Sequence, residues 1–184
     1  MKSTKAANRY VAFLRGINVG GHHKIPMADI CKQLMEFGLE NVVTILNSGN
    51  VIFDALTNNQ ESLEKAISEN LENTYGFPVP TIIKTSESIY QLFNDAPFQD
   101  VKVTKDIRLY VSFLKKNTQS DLEIPWTSPD NSYTIMEIRD KIILSVLDIS
   151  VSKTPAAMIA LEKSFGTEIT TRNWKTIEHI INKL

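Results

Sequence analysis

The chain has a single cysteine, Cys31, among its 184 residues. It can form no internal disulfide, so a reducing, cytoplasmic compartment is expected. No stretch approaches the roughly 20 consecutive apolar residues that a membrane-spanning helix needs, so no membrane partner is expected. The opening MKSTKAANRY is basic but is not followed by an apolar core and a small-residue cleavage site, and does not read as a secretory signal. Familiar catalytic and cofactor patterns are missing too. Gly16 and Gly21 have the spacing of a phosphate-binding P-loop, but His22 and His23 stand where lysine and serine or threonine belong. Gly-x-Gly-x-x-Gly is absent. Ser48 lacks the flanking glycines of a nucleophile elbow. No His-x-x-x-His or Cys-x-x-Cys pair occurs and His179 is isolated, so no metal site is expected and no cofactor is indicated. No carboxylate pair is marked out as an acid–base couple, so whether the chain is an enzyme stays open.

An excess of charge is lacking as well. Twenty basic and 21 acidic residues leave a net charge of -1, which argues against indiscriminate attraction to nucleic acid. Along the chain the balance is uneven. Lys2, Lys5, Arg9, Arg15 and Lys24 all precede the first acid, Asp29. Lys2 and Lys5 read as a solvated arm, whereas Arg15 and Lys24 adjoin predicted elements. A hydrophobic content of 42% and a charged content of 22% are those of an ordinary folded protein and exclude disorder as the main state.

What is present is a regular alternation of strands and helices. Residues 10–14 are short, aromatic and β-branched, as a buried strand requires. Pro26 then suits a first helical position, with Met27, Ile30, Cys31, Leu34 and Phe37 at helical spacing and Gly38 as the stop. VVTIL and VIFDA flank the turn sequence NSGN and predict a hairpin. Asn58 and Glu61 have capping-box spacing ahead of a second helix that ends at Gly76. A fourth strand starts at Val79, where Pro78 and Pro80 suit a sheet edge. The order β-α-β-β-α-β is that of a split βαβ, ferredoxin-like unit, also called an α-β plait. A short helix follows over TSESIYQLFN.

The pattern then recurs. IRLYVSFLKK echoes NRYVAFLRG, a hairpin turns at Arg139-Asp140, and a helix runs from Thr154-Pro155 to Gly166. TEITT predicts a short strand, and NWKTIEHIINKL a closing helix with Trp174, Ile177, Ile181 and Leu184 on one face. The first helix of the second half is expected to have shrunk into residues 117–130. The fold class is therefore α+β: two duplicated ferredoxin-like subdomains with antiparallel sheets, over residues 1–104 and 105–184, plus a C-terminal helix.

Polar and glycine-rich punctuation concentrates in three segments. The first, Arg15 to Gly21, offers Arg15, Gly16, Asn18, Gly20 and Gly21 between a strand and a helix start, where free backbone amides and the helix dipole favour an anion. The alternative is a tight turn whose glycines serve geometry alone. The second holds Asn47, Ser48 and Asn50. In a split βαβ unit this loop lies at the same sheet end as the first. The third is Arg172 and Asn173 at a helix start, where Arg172 would clamp a carboxylate or phosphate, or pair on the surface. Trp174 and Cys31 read as core residues.

RGINVGG, LNSGNVIF and LEKSFGTEITTRNWKTI, in this order, resemble the bacterial family catalogued as "domain of unknown function 1697". The resemblance spans the chain from about Arg9 to the last helix. Family members usually carry glutamine at the position of Asn47 and asparagine at that of Lys175. The resemblance implies two ferredoxin-like subdomains and brings no activity or catalytic residues. The expected function is binding of a small phosphate- or carboxylate-bearing ligand through Arg15, Gly16, Asn18, Gly20, Gly21, Ser48, Arg172 and Asn173. A nucleic-acid-binding module, with bases stacked on Tyr10, Phe13, Tyr110 or Phe113, ranks lower. A homo-oligomer joined at sheet edges is the third reading.

Overall fold

A computed structural model describes residues 7–117 and 122–184. Lys2, Lys5 and part of the segment 117–130 lie outside the described residues. The chain is mixed α+β, with two antiparallel sheets and, among the described residues, five helices. It divides into two compact units. One is the chain up to Leu92 together with His179–Leu184, and the other is Phe93–Glu178. No helix of the described residues is long and apolar enough to cross a membrane.

The first unit contains β1 (Asn8–Leu14), α1 (Met27–Glu36), β2 (Glu40–Ile45), β3 (Asn50–Ala55), α2 (Gln60–Tyr75) and β4 (Thr81–Thr85). Its sheet has the order β2-β3-β1-β4, with β1 antiparallel to both neighbours. Every residue of β1 from Tyr10 onward is buried, which is why this central strand reads as an uninterrupted apolar run. Tyr10, Ala12 and Leu14 form a core with Ile30 and Leu34 of α1 and Leu63, Ile67 and Leu71 of α2. The i, i+4 spacing on both helices builds that face.

Two helix starts differ by one residue from the sequence expectation. Pro26 has ψ 133°, an extended value, so it is the cap of α1 and helical geometry begins at Met27. Asn59, not Asn58, caps α2, because its side chain accepts from the Ser62 amide at 3.0 Å. Gly38 and Gly76 take the left-handed stop positions expected of them, at φ 102° and 77°. β4 is an edge strand, and α2 covers part of its edge. Glu64 Oε1 accepts from the Ile83 amide at 2.8 Å and Gln60 Nε2 donates to the Ile83 carbonyl at 3.0 Å. The two outward-facing backbone groups of Ile83 are thereby satisfied by side chains one helical turn apart.

Directly after β4 comes α3 (Ser86–Asn94), capped by Thr85, whose hydroxyl accepts from the Ser88 amide at 3.2 Å.

The second unit contains β5 (Ile107–Leu114), β6 (Trp126–Thr127), β7 (Tyr133–Arg139), β8 (Ile142–Asp148), α4 (Thr154–Phe165) and β9 (Ile169–Asn173), and α5 (Trp174–Ile181) begins in it. Its sheet has the order β6-β7-β8-β5-β9. Ala157, Leu161 and Phe165 of α4 pack on Tyr110, Leu114, Ile143 and Leu147. β7 and β8 turn through Asp140 and Lys141, both at positive φ (47° and 63°), the backbone that a two-residue hairpin of matching twist requires. Where a shrunken helix was expected over 117–130, the described residues hold the two-residue β6 and no helix. Pro125 and Pro129 interrupt any helical run there.

Trp174 is half-buried rather than fully in the core as expected: its ring stacks on Phe93 at 5.8 Å and meets the edge of Phe98 at 5.2 Å. The buried residues of α5 are Thr176, Ile177 and Ile180, whereas Ile181 and Leu184 are only half-buried.

Candidate functional site

β1 ends at Leu14, and residues 15–26 carry the chain to α1. Leu14 remains tied in place, donating its amide to the Gly49 carbonyl at 2.7 Å, while the Arg15 amide donates to Pro80 at 2.9 Å. The glycine loop then makes a miniature hairpin. Val19 and His22 form a bridge, and Gly20 and Gly21 turn it at φ 59° and 83°. Both central residues sit in the left-handed region, so the Gly-Gly pair follows from the turn type.

Asn18 holds this hairpin to its surroundings. Its Nδ2 donates to the carbonyls of Ile25 (3.0 Å) and Asn47 (2.9 Å), and its Oδ1 accepts from the Ile25 amide (2.9 Å). Both amide protons and the carbonyl oxygen are thus engaged. Asn18 is a clamp that joins the glycine loop to the β2–β3 turn. The two loops do lie together, as the split βαβ arrangement implied. Gly49 shows how closely: a Cβ built there would lie 2.9 Å from Leu14 Cβ and 3.0 Å from Ile17 Cδ1.

Asn18, Gly21, Lys24, Ile25, Pro26, Met27 and Asn47 line a surface depression of about 390 Å³. It opens at the start of α1, where no side chain caps the helix. In this first turn the Asp29 amide donates to the Pro26 carbonyl at 3.0 Å, which leaves the amides of Met27 and Ala28 without a partner within the helix. Lys24 is exposed and supplies positive charge, and Asp29 in the first turn of α1 is the nearby negative charge.

The residues singled out from the sequence are distributed as follows. Asn18 and Gly21 line the depression. Arg15 is half-buried, and Gly16 and Gly20 are exposed members of the same loop outside that lining. Ser48 is exposed in the β2–β3 turn, and its Oγ accepts from Asn50 Nδ2 at 3.0 Å. Asn50 is fully buried and also donates to the Ile45 carbonyl at 2.9 Å, so it serves the turn. Arg172 and Asn173 belong to the second unit. Arg172 is 8% exposed in β9, and its NH1 donates to Thr170 Oγ1 at 2.8 Å and the Thr171 carbonyl at 2.9 Å. Burial lowers its pKa to about 10, so it keeps its charge at neutral pH. Asn173 caps α5, accepting from the Lys175 amide at 3.0 Å.

Sequence reasoning placed Asn47 in the second polar segment without carrying it into the ligand set, and it did not single out Ile25, Pro26 and Met27 as lining residues, nor the position of His23. Its Nδ1 lies 3.1 Å from the Gly16 carbonyl oxygen, which can only accept, so Nδ1 carries the proton. The ring lies flat on Phe77, with centroids 3.9 Å apart and planes 8° from parallel. Phe77 is remote in sequence, and no local pattern marks the pair. The strand aromatics considered as base platforms, Tyr10, Phe13, Tyr110 and Phe113, are all buried and present no open ring face. Among the described residues no group of three or more His, Cys, Asp or Glu side chains could hold a metal. Cys31 is half-buried rather than fully enclosed, and its thiol donates to the Val42 carbonyl at 3.3 Å.

No curated protein matches the chain. A solved structure, that of the conserved bacterial protein SP0830 from Streptococcus pneumoniae, is similar to it in fold. The two chains are 24% identical with a TM-score of 0.76, over 97% of this chain and 99% of that one. A family model described as "Protein of unknown function (DUF1697)" matches residues 7–143. That match spans well over half the sequence, and the chain belongs to the DUF1697 family.

Proposed function

We propose that the protein binds a small anionic ligand, bearing phosphate or carboxylate, in the depression between the glycine loop and the start of α1. The observation that carries this reading is the convergence there of Lys24 with an uncapped helix start inside a concave surface. Clamped by Asn18, the loop is held in one arrangement, so little ordering opposes binding. Arg15 and Ser48 are neighbours of the site in the chain, and Arg172 and Asn173 serve β9 and α5.

The test is a thermal-shift and calorimetric titration with inorganic phosphate, ribose 5-phosphate and small carboxylic acids. Stabilisation by a phosphate or carboxylate class is expected. Lys24→Ala should then weaken it by roughly 0.5–1 kcal/mol, about two- to five-fold, as for other exposed ion pairs. No stabilisation by any of them at millimolar concentration would remove the proposal.

We also read the two units as copies of one ferredoxin-like plan, in a protein of the reducing cytoplasm. Register supports the duplication. Leu14 donates to Gly49 as Leu114 donates to Lys141, and Arg15 donates to Pro80 as Lys115 donates to Glu168. Tyr10 lies opposite Thr85 and Tyr110 opposite Asn173, and each partner caps the helix that follows its strand. The lone free thiol of Cys31 supports the compartment.

A further inference from the structure

We infer that the anion bound in the depression is part of a molecule that also carries a flat aromatic ring, a nucleoside phosphate being the class that fits, and that His23 is the platform for its base. This rests on the anion-site reading above. It adds an observation that reading does not use.

His23 is an exposed residue whose ring has one face against Phe77, 3.9 Å away and 8° from parallel. With that face taken, the opposite face is the one left for a ligand. The contact between Nδ1 and the Gly16 carbonyl, at 3.1 Å, fixes the plane of the ring. Tyr75 lies beside Phe77, with centroids 6.4 Å apart and planes tilted by 34°. An imidazole already stacked on Phe77 offers its other face to a planar ligand at little entropic cost. Histidine is among the side chains on which bases stack.

Its position gives the platform its chemical meaning. His23 is followed directly by Lys24, which lines the depression, and its own carbonyl accepts from the amide of Asn18, another lining residue, at 3.1 Å. A stacking surface and an anion-holding surface are thus consecutive in the same loop. His23 stands outside the lining of the depression but next to Lys24 in the chain, so a ligand with a ring at one end and a phosphate at the other has the span to use both, whereas a sugar phosphate or small organic acid would use only one.

The experiment compares inorganic phosphate, ribose 5-phosphate, adenosine and adenosine 5′-monophosphate by calorimetry on the full chain. It is repeated with His23→Ala and His23→Phe. The monophosphate should bind at least about five-fold more tightly than ribose 5-phosphate, the lower end of what stacking on an aromatic side chain contributes. His23→Ala should erase that margin while leaving ribose 5-phosphate binding unchanged, and His23→Phe should keep it. Equal binding of ribose 5-phosphate and the monophosphate would overturn the inference and leave the anion site standing. Binding of adenosine as tight as that of the monophosphate would overturn the anion site and leave the platform. Binding of none of the four would overturn both. Should His23→Ala fail to fold, the wild-type comparison and His23→Phe still decide.

Discussion

Asp130 shows how much of the protein's local order rests on short polar side chains. One carboxylate oxygen accepts from Ser128 Oγ (2.6 Å), Ser132 Oγ (2.7 Å) and the Ser132 amide (3.1 Å), closing the turn before β7. These bonds favour the charged form and hold its pKa down to about 2 from 3.8. The folded-state value lies below the unfolded one. The stabilisation is therefore complete above about pH 4 and is lost as pH falls through about 2. Denaturant melts across that range should lose stability in wild type and show a smaller loss in Asp130→Asn. Equal acid sensitivity in the two would contradict this account of the turn. Asn18 teaches a related lesson. Its type and place in a glycine loop were legible as a polar group near a ligand. That its three polar positions are taken by Ile25 and Asn47 was not, because Asn47 comes from another loop and a partner so distant leaves no local trace.

At the scale of elements, the outer edge of β4 depends on α2. Glu64→Ala would leave the Ile83 amide without its carboxylate and should cost about 1–3 kcal/mol. Hydrogen exchange should accelerate at Ile83 more than at its ladder-bonded neighbours, and unchanged exchange there would show that the carboxylate does not protect the edge. Glycine and proline punctuation placed most elements to within a residue or two, because such residues act through their own backbone: Gly38 and Gly76 end helices whose apolar spacing is plain. The sealing of Ile83 by Gln60 and Glu64 could not be read the same way. Two polar residues on an exposed-looking helix become half-buried and buried only when β4 arrives beside them. The described residues of 117–130 hold no helix, because analogy with the first half outweighed two prolines standing in the segment itself.

For the molecule as a whole, the family was legible from RGINVGG, LNSGNVIF and LEKSFGTEITTRNWKTI, and the mixed α+β architecture because short apolar strands alternate with capped helices. The aromatic stack of His23 on Phe77 was not, since it joins a loop before α1 to one after α2. In the first unit α1 follows β1, whereas the described residues after β5 in the second unit hold β6. The described residues of the second unit hold no counterpart of the glycine loop, Lys24 and the start of α1, so the proposed site predicts a single ligand. Titration should saturate at one ligand per chain, with a simple hyperbolic isotherm and no cooperativity within a monomer. A stoichiometry of two would mean that the start of α1 does not make the site.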